Sequence, residues 1–303
     1  MVAFPTETVY GLGALAFSPE GVAKIFKTKG RPSTNPLIVH VHDLAAIEKV
    51  ADLSKRRIGN LYERIAPLLG GPLTLVLPRH QNLPLQINSN APTVAVRIPS
   101  HPCALDLLKH LDAPIAAPSA NRSNCISPTT ARHVYEEFGT LVPLIIDGGP
   151  CEHGLESTVL SLVDEKPVIL RPGTILAAQI EELLGTTITA QGSPSHYSPG
   201  QGIRHYAPEK TRLYFLEYSP KTGTENTALL ALFGAHTAVI DQSKFKAVHT
   251  ISPHNSLVEV AHKLFDTLRM IDSLGYDAVV VTKVDTVGIG AAIMDRLTRA
   301  CTR

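Results

Sequence analysis

Ten residues near the start of the 303-residue chain, Lys27 to Pro36, leave the backbone few choices. Pro32 and Pro36 fix their own φ and push the residues before them, Arg31 and Asn35, out of the helical region. The segment therefore reads as a stiff extended loop with no ladder of its own, holding Lys29 and Arg31 side by side. Such a loop suits a multiply charged anion, because few rotamers have to be frozen on binding. A solvated basic loop is the plainer reading of a lone K-x-R, and only the rest of the chain decides against it.

The overall charge sharpens that question. Lysine and arginine total 28 against 27 aspartates and glutamates, a formal net charge of +1. A protein that coats nucleic acid through bulk electrostatics is excluded, and an anion site must come from local clustering. Cys103, Cys125, Cys151 and Cys301 show no C-x-x-C spacing, which argues against a structural zinc site or a disulfide framework and fits a reducing cytoplasm. No apolar run reaches the roughly 18 residues of a membrane span. Met1 to Pro5 lead straight into Thr6, Glu7 and Thr8 without the basic start of a signal peptide.

Hydrophobic periodicity and punctuation set out the elements. Val2 to Phe4 ends a buried strand, and Thr6 to Gly13 reads as a polar turn followed by glycines. A helix starts at Ser18-Pro19, an N-cap followed by proline, and stops at Gly30, where the basic loop begins. Strands are expected at 37–41, with Ile38 and His40 on one face and Val39 on the other, and at 73–77 and 93–98. In the last of these, Thr93, Ala95 and Arg97 share a face. A helical stretch at 44–69, a helix at 103–111 and a short strand at 114–117 come next in the reading. Ser127-Pro128 reads as a second cap-plus-proline helix start. Strands at 144–147, 157–163 and 168–170 and a helix at 175–184 complete a mixed sheet. The Gly-, Ser- and Pro-rich stretch 189–209 reads as a linker. Beyond it, strands at 213–216, 238–240 and 278–281 and helices at 227–233, 256–274 and 291–300 suggest a smaller three-layer α/β unit.

The usual nucleotide loops are missing: there is no G-x-x-x-x-G-K-[ST], and Gly11-Leu12-Gly13 lacks the third glycine of a dinucleotide fingerprint. His40-Val41-His42 is a weak metal candidate with no second ligand pair, so no metal site is assigned. No serine sits in G-x-S-x-G. What remains is a set of polar residues at strand ends and loops of one α/β unit, where open sheets build clefts. A cleft holding Lys29, Arg31, Arg97 and Arg171 with no matching acidic run calls for an anionic ligand.

Pro5-Thr6-Glu7-Thr8-Val9-Tyr10-Gly11-Leu12, Lys29-Gly30-Arg31-Pro32, Asn35-Pro36-Leu37, Arg97-Ile98-Pro99, Pro118-Ser119-Ala120-Asn121 and Arg171-Pro172-Gly173 closely resemble the threonylcarbamoyl-AMP synthase family with its YrdC-like domain. Ser198-Pro199-Gly200, Arg204-His205-Tyr206-Ala207-Pro208 and the terminal Gly288 to Leu297 are similar to the family's longer, two-domain branch. The resemblance implies a YrdC-like twisted mixed sheet with flanking helices over 1–188, a linker over 189–209 and a smaller Rossmann-like α/β domain over 210–303. The family carries a helix and more of the first strand before P-T-E-T, which this sequence lacks.

The implied enzyme is a nucleotidyltransferase that makes L-threonylcarbamoyl-AMP and pyrophosphate from L-threonine, bicarbonate or CO2, and ATP. Its product feeds the tRNA threonylcarbamoyl transferase machinery, and Mg2+ arrives on the ATP phosphates. Carried over residue by residue, Lys29, Arg31, Ser119 and Asn121 are catalytic, and Thr8, His40, Arg97 and Ser157 surround threonine. Arg31, Asn35, Thr93, Ser119, Ser127, Arg171 and Tyr206 surround ATP, with Tyr206 on a linker that folds over the cleft. Contact with tRNA is a further expectation for the enzyme, and the rival reading is a non-catalytic RNA-binding YrdC-like protein. The near-neutral charge and the lack of interleaved aromatics count against it.

Overall fold

The computed structural model describes residues 1–190, 205–218 and 226–302. The chain divides into two compact units. The first comprises Met1–Ser123, Pro128–Glu152 and Glu156–Gln201; the second comprises Asn124–Ser127, His153–Leu155 and Gly202–Arg303.

The first unit carries β1 (Val2–Phe4), β2 (Gly11–Leu15), β3 (Ile38–His40), β4 (Leu73–Pro78), β5 (Thr93–Arg97), β6 (Ile115–Ala116), β7 (Thr158–Ser161), β8 (Val168–Arg171) and β9 (Thr189–Ala190). They form one mixed sheet in the order β1-β2-β6-β3-β5-β4-β7-β8-β9. Its helices are α1 (Pro19–Lys29), α2 (Arg56–Ile65), α3 (Pro102–Leu111), α4 (Ala131–Phe138) and α5 (Ala177–Leu184).

Strand alternation decides where function can sit. Val39, Leu73, Leu75, Leu77, Val94 and Val96 join Val22 and Ile25 of α1, Ile58 and Ile65 of α2 and Ile180 and Leu184 of α5 in one large core. The residues between them point the other way. There Ile38, Val76, Ala95 and Val159 form a small apolar patch, and the same face carries His40, Thr74, Thr93 and Arg97. One face of the sheet thus packs α1, α2 and α5, and the other gathers buried polar side chains around a small apolar patch, with α3 packed farther along it on Phe4 and Ile115.

Helix α1 forms as read: the Ser18 hydroxyl accepts the Gly21 N–H at 3.1 Å, and the helix stops at Gly30 in the left-handed conformation. Several expectations change. Gly11–Leu15 is a strand, its two glycines having masked the signal. The Pro32 loop closes a turn, with Asn35 N–H donating to the Pro32 carbonyl at 3.0 Å, so it is not fully extended. The stretch 44–69 breaks into a 3-10 turn, α2 and a second 3-10 turn. Residues 144–147 make only a bridge, Ala3 to Ile145. Helix α4 starts at Ala131 with Thr130, not Ser127, as N-cap. Thr189 and Ala190 pair with β8, so the expected linker begins inside the sheet. Ser198-Pro199-Gly200 and Arg204 lie outside the described residues.

The second unit holds β10 (Arg212–Phe215), β11 (Thr227–Phe233), β12 (Ala247–Ser252) and β13 (Ala278–Val281), all parallel, in the order β10-β13-β11-β12. With them run α6 (Gly234–Thr237), α7 (Leu257–Ser273) and α8 (Ile289–Cys301). Two expectations are overturned here. Residues 227–233 are a central strand, not a helix, and 238–240 follow α6 without forming a strand. A strand buried on both faces reads as an unbroken apolar run, which periodicity cannot separate from a buried helix. The strand that was missed, β12, lies at the sheet edge and is only partly buried.

The corrected assignment is open to measurement. Leu230→Ala, at a fully buried position in β11, is expected to cost about 2–5 kcal/mol in denaturant unfolding. Val239→Ala, 84% exposed, is expected to stay within about 0.5 kcal/mol.

Candidate active site

Arg97 ends β5 with its side chain on the polar face, 4% exposed. Its Nη2 donates to Glu7 Oε1 at 2.6 Å, its Nη1 to Thr8 Oγ1 at 2.8 Å and its Nε to the Gly71 carbonyl at 3.3 Å. The other Glu7 oxygen accepts the Ser100 N–H at 3.1 Å. Thr8 Oγ1 lies 2.8 Å from Thr6 Oγ1, which donates to the Val9 carbonyl at 2.7 Å. Burial works against a charged Glu7, but the adjacent guanidinium overrides it and holds the carboxyl below its ordinary value.

Strand register extends this network sideways. His40 of β3 and Thr74 of β4 both stand opposite Arg97. Burial, then the neighbouring Arg97 charge, brings the His40 pKa down to about 3, so the imidazole is neutral. Thr74 Oγ1 lies 2.7 Å from Ser157 Oγ. That hydroxyl also accepts from Arg171 Nη2 at 3.1 Å, while Arg171 Nε donates to the Ser157 carbonyl at 3.1 Å. Gly173 lets the following segment lie against this corner, since a Cβ there would come within 2.3 Å of the Thr158 nitrogen.

The loop after β6 arrives from another direction. Ser119 bridges to Gly11, Leu12 N–H donates to the Pro118 carbonyl and Ala120 N–H to the Tyr10 carbonyl. These bonds tie the loop to the residues directly following Thr8. Lys29, at the last position of α1 and buried, donates its ammonium to the Ser119 carbonyl at 2.6 Å and to the Asn121 carbonyl. Arg31 instead braces its own loop: Nε donates to the Asn35 carbonyl at 3.0 Å, and Nη2 to Asn35 Oδ1 at 2.6 Å and the Pro36 carbonyl at 2.7 Å.

The structure thus joins Thr8 to Arg97 and Ser157 to Arg171 by hydrogen bonds, with His40 in register beside Arg97. It joins Lys29 to Ser119 and Asn121, and Arg31 to Asn35. Thr93 shares the Arg97 face and is held through its carbonyl by Asn88 Nδ2 at 2.8 Å. Ser127 and Tyr206 belong to the second unit. There the Ser127 carbonyl accepts from Arg269 Nε at 3.5 Å. Tyr206 is buried, stacked on Phe265 with ring centroids 5.4 Å apart and 5.4 Å from the Arg296 guanidinium.

Sequence reasoning missed Glu7, Thr6 and Thr74. It also read the four cations as lacking an acidic match, whereas Glu7 matches Arg97. The available signal was a lone carboxylate between two threonines directly after a buried strand.

Buried cations and hydroxyls gathered on one face of a mixed sheet mark this unit as an α/β protein with a polar interior network. Residues 1–173 match the Sua5–YciO–YrdC family, described as telomere recombination. Residues 175–302 match the family described as threonylcarbamoyl-AMP synthase, C-terminal domain. The threonylcarbamoyl-AMP synthase of Pyrococcus abyssi is 39% identical over 308 residues, covering 99% of this chain and 90% of that one. The protein of that name from Bacillus subtilis is 39% identical over 311 residues, covering 99% and 89%. The crystal structure of P. abyssi Sua5 complexed with L-threonine matches with a TM-score of 0.84 at 36% identity, over 99% of this chain and 90% of that chain. E. coli YciO, at 21% identity and a TM-score of 0.52, shares the fold over 59% of this chain and 85% of its own. The chain belongs to the threonylcarbamoyl-AMP synthase family, a family of enzymes.

The neutral His40 makes a pH prediction. Its folded pKa lies below the unfolded value near 6.5, so its contribution to stability is complete above that value and is lost as pH falls toward about 3. Glu7, depressed from 4.5, adds acid sensitivity only below that point. Unfolding free energy between pH 6.5 and 5 is therefore expected to fall with a slope approaching about 1.4 kcal/mol per pH unit from His40. Urea titrations at several pH values should show that slope reduced by about this amount in His40→Gln.

Proposed function

We propose that this protein forms L-threonylcarbamoyl-AMP and pyrophosphate from L-threonine, bicarbonate or CO2, and ATP, which makes it a nucleotidyltransferase. Two observations on one scaffold support the reading. The Lys29 ammonium is fixed on the Ser119–Asn121 loop, and that loop is bonded to the strand that leaves the Thr8–Arg97 network.

The reaction needs no protein nucleophile. Threonine's amine nitrogen attacks the carbon of CO2 and loses a proton, giving an N-carboxylate. A carboxylate oxygen then attacks the α-phosphorus of ATP, the bond from that phosphorus to the bridging oxygen breaks, and pyrophosphate leaves. Negative charge shifts onto the leaving phosphates, so positioning and charge neutralisation carry the catalysis.

In this reading Arg97 spends three of its five N–H donors on the protein and turns the other two to the threonine carboxylate. Lys29, Arg31 and Arg171 face the phosphates, with Asn35, Thr93 and Ser119 completing the nucleotide's surroundings and Asn121 holding Lys29. Residues 1–188 form the catalytic portion. Mg2+ enters bound to ATP, and the Glu7 carboxylate, both of whose oxygens are occupied, does not hold it. The product passes to the tRNA threonylcarbamoyl transferase machinery.

The test is pyrophosphate release from ATP and bicarbonate with and without L-threonine; the reading requires release that depends on threonine. Lys29→Ala is expected to lower kcat/KM by about a hundredfold or more. Because Lys29 also holds two carbonyls, the same change should cost about 1–3 kcal/mol of stability. Threonine-independent release, or unchanged turnover in Lys29→Ala, would sink the reading.

A further inference from the structure

Glu7 is buried to 2% exposure, and each oxygen of its carboxylate accepts a hydrogen bond from the protein. A buried carboxylate that neutralises a buried arginine is costly to desolvate, and a packed apolar pair would often serve stability as well or better. Its value has to be sought in what it does to Arg97. The guanidinium is gripped along three edges, by Glu7 Oε1, Thr8 Oγ1 and the Gly71 carbonyl. Gly71 is itself anchored by donating its N–H to the Ile98 carbonyl at 3.0 Å. Of these acceptors only Glu7 is ionic, and its second oxygen also holds the backbone beyond β5, at Ser100. It therefore fixes both the plane of the guanidinium and the strand end that carries it.

We propose that Glu7 is a positioning residue, which touches no substrate but sets the Arg97 guanidinium so that its two remaining N–H donors meet the amino-acid carboxylate as a fork. The inference rests on the function proposed above. Loss of a bidentate geometry weakens an arginine–carboxylate contact far more than loss of orientation weakens a point charge. The consequence falls on recognition of the carboxylate and not on the nucleotide.

The test uses the full chain with Glu7→Gln and Glu7→Asp, compared with L-threonine and L-threoninamide, which keeps the amine but lacks the carboxylate. Glu7→Gln is expected to raise the KM for threonine by about tenfold or more while the KM for ATP stays within about threefold. Its preference for threonine over threoninamide should narrow by the same factor, and Glu7→Asp should restore part of both. A folded Glu7→Gln with wild-type threonine KM and unchanged preference would overturn the proposal. So would a fall in kcat shared equally by both substrates at constant KM, the mark of a merely structural role. If Glu7→Gln does not fold, Glu7→Asp decides by the same two readouts. The shift in thermal melt produced by threonine reads carboxylate binding without turnover. A wild-type protein that threonine stabilises but that releases no pyrophosphate would therefore condemn the proposed reaction, while the wild-type and variant shifts still judge Glu7.

Discussion

A guanidinium withdrawn from water keeps its charge, and so must be given acceptors wherever it goes. Arg97 imposes that demand on this sheet. Meeting it draws in the turn after β1 through Glu7 and Thr8, the segment before β4 through Gly71, and the end of β5 through Ser100. Pieces far apart in sequence are thereby fixed to one another at the point where one face of the sheet carries its polar residues. The hydrophobic core on the opposite face supplies the stability, but apolar packing has no directional preference that would place a hydroxyl or a guanidinium to a few tenths of an ångström. The buried polar network provides that definition.

Two kinds of loop bring chemistry to this platform. The Pro32–Asn35 turn uses its own arginine as an internal brace, so Arg31 is already ordered by Asn35 and Pro36. The Ser119–Asn121 loop depends on other segments: strand β2 takes its backbone groups, and the end of α1 supplies an ammonium to two of its carbonyls. Lys29 therefore holds one position that is at once a helix terminus and a loop anchor. The N-terminal Ser18 cap and the Gly30 stop place it there by fixing where the helix begins and ends.

Much of this was legible before any coordinates. The Ser18-Pro19 start and Gly30 stop are local signals whose physics lies within a few residues, and the alternation in β3 and β5 named the right faces, Arg97 and Thr93 together. Signals that depend on partners were misread. Leu229 to Leu232 look alike in a buried strand and a buried helix, and only the neighbours β13 and β12 decide. Ser127-Pro128 has the composition of a helix start, yet Thr130 does the capping. Glu7 carries no signal of its role in the sequence, because a single carboxylate announces nothing until Arg97, 90 positions away, is seen beside it.

Charge is distributed unevenly across the buried polar residues of the first unit. Arg97 with Glu7 is formally neutral, and His40 next to it is neutral as well, by burial first and by the Arg97 charge second. The oriented donors here are thus presented with little net charge. Lys29 is treated differently: the groups bonded to it at the Ser119–Asn121 loop are carbonyls, which orient an ammonium without cancelling it. Arg31 is likewise met by the Asn35 and Pro36 carbonyls and the Asn35 amide oxygen. The formal charge of the whole protein, +1, conceals this arrangement: Arg97 is matched by a carboxylate, whereas the Ser119–Asn121 loop meets the Lys29 ammonium with carbonyl dipoles.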